Sequence, residues 1–303
     1  MNYQYQVYVK RFLVVIGAGL LTMPLLFYGK LHFQRPPRTD QERTLFQGIV
    51  YRRIAKSLPR PVVIHVTTID LTAPGIRVFV TPGMPTSDNR ETQAQTTSEF
   101  VDEFDLQLAV NASFFYPFEE NTPWNYYPHS GDRTNVLGQG ISNGLLYSPA
   151  DPDWSVLCFA DNNQARIAAQ ECPSGTVQAI AGSDVLIEQG DRLDADLDSY
   201  NNRIPYPRVA TAINREGNQL YLVVVDGKQP LYSEGVTTTE LTEILLEMGA
   251  YSALNLDGGG STILVAATPS GTTVLNAPIH TKVPMRQRPV ANNLGFYAIY
   301  HPN

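Results

Sequence analysis

The sequence predicts an α+β fold: a mixed, mostly antiparallel sheet core with few helices, preceded by one N-terminal transmembrane helix. Three observations predict it. The 303 residues include 22 Gly, 22 Pro and 16 Tyr against two Trp, a composition of many turns and strands. Short apolar runs bounded by turn residues recur along the chain, and helical periodicity is confined to two stretches beyond residue 90. One N-terminal run is long and uncharged enough to span a bilayer. With 43% hydrophobic and 17% charged residues the chain can build a sizeable core, and a net charge of -7 gives no basic field for a phosphate backbone, which excludes a nucleic-acid partner.

Residues 1–11 form a short tail ending in Lys10 and Arg11, and the uncharged run 12–29 (FLVVIGAGLLTMPLLFYG) is expected to be a membrane anchor. Pro24 kinks such a helix without forbidding it. A cleaved signal peptide is the competing reading, but the run ends without the small-x-small pattern that cleavage needs. Lys30, Arg35, Arg38 and Arg43 follow the run, which by charge alone points the domain inward. Long domains translocate largely regardless of such charges, and Cys158 and Cys172 could close a small disulfide loop on an oxidising side. The expectation is therefore a single-pass membrane protein with its domain extracytoplasmic, periplasmic or at the cell surface. Residues 30–60, broken by Arg35-Pro36-Pro37-Arg38, read as a stalk, and 61–303 as the folded domain.

Within the domain, 62–66 and 76–80 read as a hairpin-like pair of strands joined through Pro74-Gly75. Phe100, Val101 and Phe104 mark a helix from 97, after which a strand over 106–110 runs into Asn111. The long aromatic loop 117–140 reads as a binding loop, with disorder as the bland alternative. Strands over 144–147, 154–159, 177–181, 185–187, 209–213 and 220–225 have the spacing of a meandering sheet. Leu241, Ile244, Leu245 and Met248 give the best helix, 237–248, with Thr237 and Glu240 as its capping box and Gly249 at its end. The last strand is expected near 294–299.

Chemistry concentrates where two carboxylates leave strand ends into glycine turns: Asp226-Gly227 after Leu222–Val225, and Asp257-Gly258-Gly259-Gly260-Ser261 after Leu254–Leu256. Either Asp alone reads as a turn cap. Consecutive glycines let a ligand approach main-chain N–H groups, and together the two sites point to acid–base or nucleophilic work. Pro207-Arg208-Val209-Ala210, LYLVVVDG over 220–227, LNLDGGGS over 254–261, VNASFF over 110–115, Ala181-Gly182-Ser183 and RPVAN over 288–292 closely resemble the phosphodiester glycosidase family. The similarity spans most of 60–303 and departs from the family at Ser113 and Asn214.

The resemblance implies hydrolysis of a sugar-1-phosphate diester at the anomeric carbon. Sugar hydrolysis usually enlists two carboxylates, and a phosphate leaving group, being a weak base, makes the acid less important than the base. Asp257 and Asp226 are the expected catalytic pair. Arg208 is the expected phosphate clamp, Gly258, Gly259, Gly260 and Ser261 donors to the same oxygens, Asn111 a sugar-hydroxyl contact and Arg288 a second anion contact. Glu240 reads as structural, through its cap.

No cofactor is required. Asp191, Asp194, Asp196 and Asp198 lack the glycine and closing glutamate of a calcium loop, and His65, His129 and His280 lack zinc spacing, which leaves room only for an oxygen-ligated divalent cation. Asn111-Ala112-Ser113 matches a glycosylation acceptor by chance at a buried strand end. The expected partner is a sugar phosphodiester or phosphoglycan. Two rival readings are a non-catalytic polysaccharide-binding module in exopolysaccharide or envelope biology, which needs the arginine and glycines but not both acids, and a phosphodiesterase cutting P–O, which commonly uses clustered metal ligands.

Overall fold

A computed structural model of the chain describes residues 26–84, 90–193 and 200–300, with a few isolated positions before residue 26. The expected tail and most of the expected anchor, and Asp194, Asp196 and Asp198, lie outside the described residues. Residues 26–33 are helical, and no helix among the described residues is long and apolar enough to cross a membrane.

Two long sheets and a third one share a core. The largest has eight strands in the spatial order Gln41–Phe46, Ile49–Lys56, Val62–Asp70, Gln219–Val225, Arg208–Ile213, Ser252–Leu256, Val185–Glu188 and Asp191–Arg192. A five-stranded sheet runs Gly271–Val274, Leu264–Thr268, Leu108–Asn111, Asn293–Tyr297 and Arg77–Val80; a second runs Leu145–Ser148, Gly140–Ser142, Thr176–Gly182, Ser155–Ala160 and Ala165–Ala168. Every ladder in these sheets is antiparallel, so the expected mixed core is antiparallel throughout among the described residues.

Side-chain alternation explains the apolar run of Gln219–Val225. Leu220, Leu222 and Val224 face a core shared with Val110, Leu157, Ile180, Leu254 and Leu294, whereas Val223 and Val225 face Leu241 and Leu245 of the helix Thr238–Glu247. A strand buried on both faces loses the polar alternation of a half-exposed one. That helix begins as expected: the Thr237 hydroxyl accepts from Glu240 N–H (3.2 Å) and the Glu240 carboxylate from Thr237 N–H (2.8 Å). Glu240 is also ion-paired with Arg60. The helix Thr97–Glu103 carries the same box through Thr96 and Glu99 and covers the first five-stranded sheet with Phe100 and Val101.

Three expectations change. Val62–Asp70 and Arg77–Val80 do not pair; they enter different sheets, because the turn at Gly75 carries the chain across the core. The strands between 176 and 256 do not meander in sequence order, since Arg208–Ile213 lies between Gln219–Val225 and Ser252–Leu256. The stalk loses residues 41–56 to the large sheet, where Phe46, Ile49 and Tyr51 are buried at 2%, 0% and 1% exposure. Alternation in IVYRRIAK supplies an apolar face that the many arginines conceal.

Cys158 and Cys172 are joined in a disulfide, with Cα atoms 5.7 Å apart. Loop-closure entropy for a sequence separation of 14 predicts that Cys158→Ser with Cys172→Ser lowers stability by about 3 kcal/mol, seen as a lowered urea midpoint.

Candidate functional site

Five strand ends meet at one end of this assembly: Asn111, Gly182, Arg208, Val225 and Leu256 lie at paired or adjoining positions. Asp257 leaves there into the turn that crosses from the large sheet to the first five-stranded sheet. Its N–H donates to Ala112 O (3.0 Å), and its carbonyl accepts from Asn111 Nδ2 (2.6 Å). Asn111 Oδ1 accepts from Ile263 N–H (3.0 Å), so this buried amide braces both ends of the turn. Asn111 is therefore committed to backbone and does not line the cleft, contrary to the expected sugar contact.

The glycines have individual steric reasons. A Cβ on Gly258 would stand 2.6 Å from Pro207 O, and one on Gly260 would stand 2.4 Å from Arg288 Nη2. The absence of a side chain at Gly260 lets a guanidinium lie directly on the turn. Arg288 donates from Nη1 to Ser261 Oγ (3.2 Å) and from Nε to His280 Nδ1 (3.2 Å), is ion-paired with Glu120, and has Phe118 4.5 Å from its Cζ.

A cleft of about 590 Å³ opens at this turn, lined by Asp257, Gly258, Gly259, Arg208 and Arg288 together with Glu120, Asp184, Asn255, Tyr206 and Phe114, Phe115 and Phe118. A groove of about 640 Å³ between the large sheet and its helix is larger, but its floor is apolar and its charged residues, Glu42, Arg52, Lys56 and Glu247, are all exposed rather than held in a buried cluster. Desolvation pushes the Asp257 carboxyl up to about 6, opposed by the Arg288 charge and by hydrogen bonds from Ser261 and Gly258. Burial lowers the Arg208 pKa, partly offset by Tyr206 and Asp184, and its Nε donates to Val236 O (3.3 Å). Burial, then the charges of Arg288 and Arg286, push His280 down to about 3; the neutral ring is what accepts from Arg288.

The second expected catalytic carboxylate is elsewhere. Asp226 is 1% exposed and does not line the cleft. Its Oδ2 accepts from His65 Nε2 (3.0 Å), and its Oδ1 accepts from Asn276 Nδ2 (3.0 Å) and Ala277 N–H (2.9 Å). A carboxylate with its oxygens so occupied and shut from the cleft does not reach a substrate there. The carboxylates that accompany Asp257 are Asp184, which accepts from Ser183 Oγ (2.8 Å), and Glu120.

Asp184 follows Gly182-Ser183 just past a strand end but is followed by Val185, so it lacks the Asp-Gly turn that marked Asp226 and Asp257 and sequence reasoning missed it. Glu120 was missed as well, since only folding the 117–140 loop into the hairpin Glu119–Glu120 with Tyr126–Tyr127 carries it to Arg288. Arg286 docks that hairpin by donating to Pro123 O (2.6 Å) and Tyr126 Oη (3.0 Å), so the loop is an ordered wall. Asn255 Nδ2 donates to Ser183 Oγ (2.9 Å), while its buried Oδ1 has no hydrogen-bond partner. Among the described residues no three His, Cys, Asp or Glu side chains gather as metal ligands.

An uncharacterised prophage-derived protein of Bacillus subtilis is 24% identical over 211 residues, 62% of this chain; the chain spans only 32% of that relative. A hypothetical protein from Synechocystis superposes with a TM-score of 0.62 at 16% identity, over 88% of this chain and 64% of the other. The catalytic domain of zebrafish N-acetylglucosamine-1-phosphodiester alpha-N-acetylglucosaminidase, auto-inhibited by its pro-peptide, superposes with a TM-score of 0.57 at 18% identity, over 90% and 93% of the two chains. A putative exported protein from Burkholderia pseudomallei gives 0.58 at 12% identity, over 86% and 97%. These likenesses show the fold. The family model for phosphodiester glycosidases matches residues 104–297, a span that runs from just after the helix Thr97–Glu103 to the end of the last strand and contains every residue lining the cleft, so the chain belongs to the phosphodiester glycosidase family.

Proposed function

We propose that this chain is a membrane-anchored, extracytoplasmic hydrolase that cleaves the glycosidic bond of a sugar-1-phosphate diester. The observation that carries the reading is one cleft holding an Asp257 carboxyl pushed up to about 6, with the Arg288 guanidinium on its glycine turn and Arg208 in the same lining. At neutral pH Asp257 is mostly ionised, as a group that attacks the anomeric carbon or takes a proton from water must be. Arg208 holds the phosphate and stabilises the charge it gains as it leaves. The turn is not the expected cluster of donors, because Gly259 N–H donates to Pro207 O (2.9 Å), Ser261 N–H to Gly258 O (3.1 Å) and Gly258 N–H to the Asp257 carboxyl. Asn255 Oδ1 and Asp184 accept from sugar hydroxyls, and the rings of Tyr206 and Phe114 give the sugar an apolar wall. Arg288 reaches the phosphate only by giving up Glu120.

The test uses the full chain in detergent with methyl N-acetylglucosamine-1-phosphate diester in ¹⁸O-water. Free sugar carrying ¹⁸O at C1, absent with Asp257→Asn, is the expected result. Oxygen-18 in the phosphate would mean P–O cleavage, and binding without turnover would support a recognition module.

A further inference from the structure

The end of the fold that carries the cleft is also the end at which the chain enters from its apolar N-terminal run. Tyr232 Oη donates to Pro36 O (2.9 Å), Arg35 Cζ lies 5.1 Å from the Tyr232 ring centroid, and Arg38 donates to Lys56 O (2.8 Å). Tyr232 belongs to the loop between Val225 and Thr238. Three residues after Val225 the same loop presents Lys228, whose Nζ donates to Oη of the cleft residue Tyr206 (2.7 Å). Between them, Leu231 projects at 89% exposure. The neighbouring turn after Lys56 projects Leu58 at 84%, and its Arg60 donates to Gly235 O (3.1 Å) in the Lys228 loop. Across the cleft the Glu120 hairpin ends in Trp124 at 86%.

Charge follows the same geometry. In a chain of net charge -7, residues 30–60 carry eight Lys and Arg against two acids. Lys30, Arg35, Arg38 and Lys56 belong to this entry segment, and Lys228 adds a cation at the cleft rim. Isolated exposed apolar residues need no explanation. Leu231, Leu58 and Trp124 are different, because each tips a loop at the cleft end, beside basic residues, where an uncharged run of 18 residues arrives. Aliphatic tips, an aromatic tip and flanking cations are what a headgroup region accepts.

We propose that this end rests on an anionic lipid bilayer and that the cleft takes sugar phosphodiesters whose aglycone is a membrane lipid. The inference rests on the glycosidase reading for its chemistry and on the loop geometry for its orientation. Water oxygen joins the anomeric carbon, the C1–O bond to phosphate breaks with its electron pair going to that oxygen, and the water proton passes to Asp257 and then solvent. The lipid keeps a phosphomonoester in the bilayer, and the free sugar leaves.

The test uses the full chain reconstituted in phosphatidylcholine–phosphatidylglycerol vesicles. In a Trp124→Phe, Trp154→Phe background, Leu231→Trp is compared with Leu145→Trp, which is exposed at the opposite end, where Gly144 N–H donates to Val177 O (2.8 Å). Acyl-brominated lipid is expected to quench the first at least about twofold more than the second, as for a side chain at the interface. Equal quenching, or none at 231, overturns the orientation. In the second arm, Leu58→Asp with Leu231→Asp is expected to cut sugar release from a vesicle-embedded long-chain sugar-1-phosphate diester by about tenfold, the loss of two interfacial leucines, with turnover of the soluble methyl diester unchanged. Equal loss on both substrates, or none on the embedded one, overturns the lipid substrate. If the parent chain turns over neither diester, the glycosidase reading and the lipid substrate fail together, and the quenching result still decides the bilayer contact.

Discussion

Asp257→Asn is expected to lower kcat for sugar release by about 10²–10⁴-fold, the range for removing a positioned acid–base group, with a small change in KM. KM is spared because the asparagine keeps the volume of the aspartate while Arg208, Arg288 and the glycine turn keep their places. Among the described residues no other carboxylate of the cleft lies on that turn: Glu120 is ion-paired with Arg288, and Asp184 lies between the strands Thr176–Gly182 and Val185–Glu188. The pH profile identifies the role. With Asp257 titrating near 6, kcat/KM should rise as pH increases through about 6 and then level, since the ionised form does the work. A profile that falls through the same value would make Asp257 the acid. A variant that keeps more than about a tenth of the parent rate would remove it from the chemistry, being below the usual acid–base contribution.

The same shift has a sign in stability. The Asp257 carboxyl holds its proton to a higher pH in the folded chain than in the unfolded one, where an aspartate titrates near ~4. Between about 4 and 6 the native state therefore binds more protons, and stability declines as pH rises through that window. Asp257→Asn removes the buried charge, so above pH 6 the variant should unfold at a higher Tm than the parent, by an increment worth roughly 1–3 kcal/mol, and the two should converge below about pH 4. An inactive variant that is also more stable is hard to explain as a folding defect.

How much of this was legible in the sequence depended on range. LNLDGGGS located the turn because its steric demand is local: three glycines are needed wherever backbone, Pro207 and Arg288 all approach within one turn. The helix 237–248 was legible for the same reason, its cap and periodicity lying within twelve residues. Sheet order was not, since strands 62–70 and 219–225 pair across about 150 residues and no local feature names the partner. The first two strands were read as stalk because charged side chains on their outer face masked the alternation beneath. In the site, Arg208 and Asp257 share a cleft as expected, but the Asp-Gly signal could not distinguish a carboxylate facing solvent from one facing the core. Both follow apolar strands at the same end of the same sheet. What separates them is His65, on the adjacent strand Val62–Asp70 but 161 residues away in sequence, whose ring meets Asp226.

That burial makes Asp226→Ala the second large effect, expected on stability rather than on chemistry. The substitution leaves His65 Nε2, Asn276 Nδ2 and Ala277 N–H without their acceptor in a region closed to water. Removing one member of such a buried charged network costs about 3–5 kcal/mol, a large share of the stability of a domain this size. The damage would propagate to the site by a defined route. Asn276 Nδ2 also donates to Thr262 O (3.1 Å), and its Oδ1 accepts from Leu264 N–H (2.9 Å), so Asn276 fixes the far end of the turn that begins at Asp257. On the other side, His65 Nδ1 meets the hydroxyl of Tyr51 (2.8 Å), whose own pKa burial pushes up to about 12. Asp226→Asn is the discriminating partner variant: it keeps an acceptor for Asn276 and Ala277 and disturbs only the His65 contact. It should lose less than half of the stability that Asp226→Ala loses, and its kcat below its own Tm should stay within about tenfold of the parent, as expected of a positioning residue. Asp226→Asn as inactive as Asp257→Asn, with an unchanged urea midpoint, would return Asp226 to the catalytic pair and require the cleft to open toward it.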